Sequence, residues 1–161
     1  MLRTRRNHGL EHATIHILSS RHPRTSMAGR SDSHGFYLYG DLTSEEISTA
    51  AVEALNRLRQ GDRYLAIHPN CGTNLITAGM LAGSAAFLSL VGIGQSDWRE
   101  RLNRLPLAII GTTVALIVAQ PLGMAAQRRL TTSGDPGNLE IVSVRRIRGA
   151  RPSLHRVLTR G

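Results

Sequence analysis

LITAGMLAGSAAFLSLVGIG, residues 75–94, and LPLAIIGTTVALIVAQPLGMAAQ, residues 105–127, contain no charged side chain. Each is close to the roughly 20 residues a helix needs to cross about 30 Å of hydrocarbon. Both read as transmembrane helices. The apolar residues of the chain are concentrated here, leaving too few elsewhere to wrap such a pair as the buried centre of a soluble core. The fold predicted from this reading is an α+β cytoplasmic domain fused to a two-helix transmembrane hairpin. The α+β domain occupies residues 1–74, the hairpin residues 75–127, and a basic C-terminal tail residues 128–161.

The second apolar stretch carries Gly111, Ala115, Ala119 and Gly123 at four-residue spacing, and the first carries Gly79 and Gly83. Small residues in a row let helix backbones approach closely, so both rows are expected at the helix contact. Pro106 is expected in the first turn of its helix, and Pro121 should bend that helix or end it early. Residues 1–74 carry nine Arg against seven acids, residues 95–104 three against two, and residues 128–161 eight against two. Two crossings put both termini on one side, and the Arg-rich side is expected to be the cytoplasmic face of a bacterial inner membrane. No apolar run follows Arg3, Arg5 and Arg6, so no cleaved signal peptide is expected.

The whole 161-residue chain is strongly basic, at a formal +9, with 20 basic side chains that are all arginine. A single cysteine excludes an internal disulfide framework and any Cys-only metal cluster within one chain, so a metal site has to recruit from the seven histidines. Asn7 is placed to cap a helix running to Ser20. Residues 27–31 and 36–39 are predicted as short strands around a turn, with Phe36 and Leu38 on one face and Tyr37 and Tyr39 on the other. Thr43 and Glu46 form a capping box ahead of a helix whose buried stripe is Ile47, Ala51, Ala54, Leu55 and Leu58, stopped by Gly61. Residues 64–68 are predicted as a strand, and residues 139–148 as another within the tail.

Chemistry-bearing residues gather in two places. In the opening helix His8, Glu11, His12 and Ile15 fall within a sector of roughly 100°, so both imidazoles can reach one ion with a carboxylate beside them. His16 lies one turn further on. The string His8-x-x-Glu11-His12 has the H-x-x-E-H form of the inverted zincin metallopeptidases. The second place is His68-Pro69-Asn70-Cys71-Gly72-Thr73-Asn74, directly before the first apolar stretch. It resembles a C-P-x-C-G zinc-ribbon or rubredoxin-type knuckle with histidine in the first ligand position.

Three strings in combination, LEHAT at residues 10–14, GFYLYG at 35–40 and AIHPNCGTN at 66–74, precede two hydrophobic helices. The chain thereby resembles an uncharacterised bacterial family of small membrane proteins that carry a domain of unknown function. The resemblance covers residues 7–130. It implies a cytoplasmic or membrane-facing module beside a helical hairpin and carries no activity with it.

The function expected is a membrane-bound zinc-dependent hydrolase, peptidase-like, with His8, His12, His68 and Cys71 as the ligand pool and Glu11 as general base. His16, Asn70 and Asn74 are additional candidates at the site. If four residues ligate, the tetrahedral site is closed, which is the mark of a structural metal. The alternative is therefore a non-enzymatic membrane adaptor or assembly subunit. A further reading makes Cys71 the nucleophile of a thiol hydrolase with His68 or His12 as its base. The partners expected are a membrane-protein or peptide substrate, another copy or a membrane complex, and anionic lipid headgroups at tail residues Arg145, Arg146, Arg148 and Arg151. Nucleic acid is not expected, because no aromatic residue follows Trp98 to stack on bases.

Overall fold

The computed structural model describes residues 1–91 and 98–161, so the end of the first apolar stretch at Gly94 and the start of the link at Gln95 lie outside the described residues. The described chain is α+β and falls into two compact units. One comprises residues 1–68 and 128–161, the other residues 69–127.

In the first unit, α1 (Leu2–Arg21) is followed by β1 (Ala28–Asp32), β2 (Gly35–Tyr39), α2 (Ser44–Arg59) and a 3-10 turn at Arg63–Ala66. After the other unit the chain returns as β3 (Glu140–Ile147) and β4 (Leu154–Arg160). The strands form one antiparallel sheet in the order β1-β2-β4-β3. Phe36 pairs with Val157 and Leu38 with His155, which puts all four on one face. All four are completely buried, and α1 and α2 pack over that face. Tyr37 and Tyr39 point the other way, as the alternation required.

The capping box holds: the Thr43 hydroxyl accepts the Glu46 amide, and the Glu46 carboxylate accepts the Thr43 amide at 2.7 Å. The expected stripe of α2 is buried, with Ala50 added to it. Gly61 ends the helix region with φ +100°, a conformation that costs glycine little.

Three expectations are corrected here. α1 begins at Leu2, not after Asn7, and Asn7 is a buried interior residue. Its amide donates to the Asp32 carbonyl at 2.9 Å and its oxygen accepts the Thr159 hydroxyl at 2.7 Å, tying α1 to β1 and β4. Residues 64–68 form no strand. Their amides turn inward locally, Leu65 to the Asp62 carbonyl and Ile67 to the Tyr64 carbonyl, and their carbonyls are taken by histidines. The tail carries a second strand, β4, which lies between β2 and β3 and so completes the sheet from its interior. α1 itself is buried on nearly all sides between Asn7 and Leu18, because the sheet, α2 and the 3-10 turn all pack on it.

The second unit consists of α3 (Gly72–Leu90) and α4 (Trp98–Ala126), each long and apolar enough to cross a membrane. They pack along each other in antiparallel sense, Ser89 beside Gly111 and Asn74 beside Gly123. Buried or half-buried Ala108, Gly111, Ala115, Ala119 and Gly123 form the α4 contact stripe, as expected from their spacing. The row on α3 is different: Gly79 and Gly83 face open space, and the neighbouring stripe through Ala78, Ala82, Ala85 and Ala86 makes the contact side. α4 starts at Trp98, seven residues ahead of the apolar stretch, helped by the Arg104–Glu100 ion pair at 3.3 Å. Pro106 is therefore inside the helix and not in its first turn, and the helix runs on past Pro121 to Ala126. A missing proline amide removes a single rung of the ladder, and the rungs on either side persist.

Candidate metal site

The helical rise of α1 stacks His8, His12 and His16 one turn apart, and the local backbone decides what each imidazole does. The His8 and His12 rings lie edge to face with centroids 4.4 Å apart. His12 Nδ1 lies 2.9 Å from the Ala66 carbonyl oxygen, and His8 Nδ1 lies 3.0 Å from the Thr131 carbonyl oxygen. A carbonyl can only accept, so in each ring Nδ1 carries the hydrogen and donates it. Nε2 is then the nitrogen that each ring would offer a metal ion. Imidazoles that bind metals are oriented in this way, with the second nitrogen donating to a carbonyl or carboxylate. His16 is turned the opposite way, with its Nε2 hydrogen donated to the Ile67 carbonyl at 2.9 Å.

His68 enters the same group from the far side of the 3-10 turn, its ring 4.8 Å from that of His16 and 5.8 Å from that of His12. Burial, with His16 and His12 nearby, pushes its imidazole down to about 4, so it is neutral at physiological pH. The structure thus brings His8, His12, His16 and His68 together in one unit. Cys71 follows His68 by three residues, as the buried N-cap residue of α3. Asn70 is exposed in the turn before it. Asn74 braces the base of the helix pair: it donates to the Pro69 carbonyl at 2.6 Å and accepts from Gln127 at 2.7 Å.

Glu11 is 3% exposed and reaches β1, where it accepts the Ser31 hydroxyl and fills the space over Gly29. A Cβ at position 29 would run into the Glu11 side chain. Burial raises the Glu11 carboxyl above the usual range, opposed by the Ser31 hydrogen bond and by His8. A carboxyl so placed takes and releases a proton nearer neutrality than an exposed one.

The sequence reading found the histidines and missed the groups that orient them. Those are the backbone carbonyls of Ala66, Ile67 and Thr131, and no residue type marks a carbonyl in a sequence. Ser31 was also missed, although its position in β1 opposite Phe36 places it on the sheet face that α1 covers.

Residues 3–144 match a family model described as a domain of unknown function, DUF6391. An uncharacterized protein of Picosynechococcus sp. (strain ATCC 27264 / PCC 7002 / PR-6) is 33% identical over 147 residues, covering 83% of this chain and 67% of that protein. No solved structure matches the chain.

Proposed function

The chain belongs to the DUF6391 family, and for this member we propose a membrane-bound, metal-dependent hydrolase, peptidase-like, working at the cytoplasmic membrane surface. The observation that carries the proposal is the pair of tautomers fixed at His8 and His12, each with Nδ1–H spent on a carbonyl. We take as third ligand Cys71, the thiol three residues after His68 in the chain, so that the donor set is two imidazoles and a thiolate. Such a set suits zinc, and three protein ligands leave a position open, as catalytic zinc sites require. Zn2+ held there would polarise a substrate carbonyl and acidify water. Glu11 takes the proton from the attacking water and returns it to the leaving amine, and Ser31 holds the carboxyl in place for both transfers. Because the first apolar helix begins directly after Cys71 in the chain, the substrates proposed are membrane-protein segments or lipid-proximal peptides.

One observation favours a second reading. Glu11 is engaged with Ser31 and packed against Gly29, and a carboxyl so occupied also serves to fix α1 to β1. In that reading His68 closes the coordination and the metal is structural, in an adaptor or assembly subunit.

Elemental analysis of the detergent-purified full chain, beside His12→Ala and Cys71→Ser, tests the metal. About one zinc per chain, lost in both variants, is expected. A metal-free wild type, purified without chelator, removes both metal readings. Hydrolysis of a quenched fluorescent peptide library then separates them: Glu11→Gln that keeps its metal and loses activity supports the hydrolase, and unchanged turnover in that variant sinks it.

A further inference from the structure

Outside the histidine cluster, the first unit contains a cavity of about 360 Å³ whose wall includes Arg5, Arg63, Tyr64 and Arg128 together with the backbone around Thr132 and Ser133. Arg5 is held rigidly: Nη2 donates to the Arg129 carbonyl at 2.9 Å and to the Thr132 carbonyl at 3.0 Å, and Nε donates to Thr132 at 3.3 Å. Arg63 and Arg128 carry no side-chain hydrogen bond or ion pair among the described residues. Asp135, the acid on this wall, is 3.8 Å from Arg6. Three guanidiniums therefore converge on one polar cavity whose carboxylate already has a cationic neighbour. Two of them have their fork of donors available.

We infer that this cavity binds the phosphate of an anionic phospholipid headgroup. Guanidinium forks match phosphate oxygens in a bidentate way, and Arg5, fixed by two carbonyls, brings its charge at little further entropic cost. The Tyr64 hydroxyl, which accepts from Arg57 at 2.7 Å, keeps its own hydrogen to donate to a headgroup, and the residue is 62% exposed. A lipid is favoured over a free anion because Arg128 follows the apolar α4 directly in the chain, and basic residues at the cytoplasmic end of a span sit at headgroup level. The arginines of the tail are less suited. Arg146 already donates to the Ser153 hydroxyl at 2.8 Å, and Arg145 lies alone on the outer sheet face beside Arg156, which is paired with Asp32.

The inference rests on the membrane part of the reading above and is independent of the metal. The test uses the full chain in neutral detergent, titrated with phosphatidylglycerol, phosphatidylcholine or inorganic phosphate. Retained lipid is counted by native mass spectrometry, binding is followed by the rise in Tm, and metal content is read on the same preparation. Phosphatidylglycerol is expected to bind and phosphatidylcholine not to. The double variant Arg63→Glu/Arg128→Glu is expected to bind at least about tenfold more weakly, and Arg145→Glu/Arg148→Glu to bind as wild type does. Should the charge reversal fail to fold, Arg63→Gln/Arg128→Gln reads the same loss. Undiminished phosphatidylglycerol binding in the cavity variants, or a loss confined to the tail variant, overturns the inference. A response to inorganic phosphate equal to that to the lipid overturns its lipid source. Loss of lipid binding with metal retained, or the reverse, shows which of the two readings has failed.

Discussion

A lone histidine in a sheet shows how strongly position governs chemistry. His155 is fully buried in β4, and neither ring nitrogen has a hydrogen-bond partner among the described residues. Burial, with Arg146 nearby, holds its imidazole below the usual range. The folded chain therefore keeps it neutral while the unfolded chain protonates it below about pH 6.5. The unfolded state then binds the extra proton, so stability is lost as pH falls through that value. The Tm of His155→Leu is expected to fall less than that of wild type between pH 7.5 and pH 5.5, each in the same detergent. An equal fall in both proteins would place the sensitivity elsewhere. Asp32 acts in a lower window: although burial opposes it, Arg156 at 2.8 Å and the His34 amide hold its carboxyl down. Its contribution is present above the ordinary carboxylate range and disappears as pH falls through the lowered value.

Among the elements, α1 is the one the others are built on, and its close approaches identify where it cannot change. Ser133 donates its amide to the Arg5 carbonyl at 2.9 Å, which brings its own carbonyl oxygen over Gly9. A methyl group at position 9 would meet that oxygen, and backbone cannot swing aside as a side chain can. Gly9→Ala is expected to destabilise the chain by about 1–3 kcal/mol, read as a lowered Tm, and to weaken metal binding because Thr131 must move with the same segment. Gly61→Ala, where nothing lies within 4 Å, tests the φ effect alone. In α2, Thr43→Ala removes a cap that satisfies the Glu46 amide and should cost about 1 kcal/mol. In the helix pair, a Cβ at Gly123 would meet Asn74 Oδ1 at 2.5 Å, so Gly123→Leu should separate α4 from α3 at that level. A cysteine pair at positions 89 and 111 reports the separation by its oxidation yield.

For the whole molecule, the decisive feature is that a sheet is assembled from both ends of the sequence. β4 lies between β2 and β3, so removing residues 149–161 opens the sheet and strips Val157 and His155 from the core. That truncation is expected to unfold the first unit, seen as loss of cooperative thermal melting, and is no clean probe of the tail's charge. Conversely, the first unit has its own core, from Leu10 and Leu18 to Phe36, Ile47 and Val157. Replacing residues 75–127 by a Gly/Ser linker is expected to give a detergent-free, α+β protein by circular dichroism that retains His8, His12, His68 and Cys71. Metal binding by that protein would show that the apolar helices are dispensable for the site.

Residue chemistry by itself determined the two apolar helices, the capped helix α2, the β1–β2 hairpin and the candidate ligands. Each depends on a pattern confined to a short window: a run without charge, a Thr and a Glu three apart, alternation along a strand, histidines one turn apart. The strand LHRVLTR was also present as alternation, with Val157 and Thr159 on its inner face, yet its place between β2 and β3 depends on its pairing with β2, more than a hundred residues away in sequence. Tertiary structure alone decided that Asn7 is a buried tie and not a cap, and that residues 63–66 coil into a turn. It also decided that Nδ1 of His8 and of His12 is turned to a backbone carbonyl. Those outcomes depend on backbone carbonyls, identical in every residue, and only packing determines which side chain a carbonyl meets.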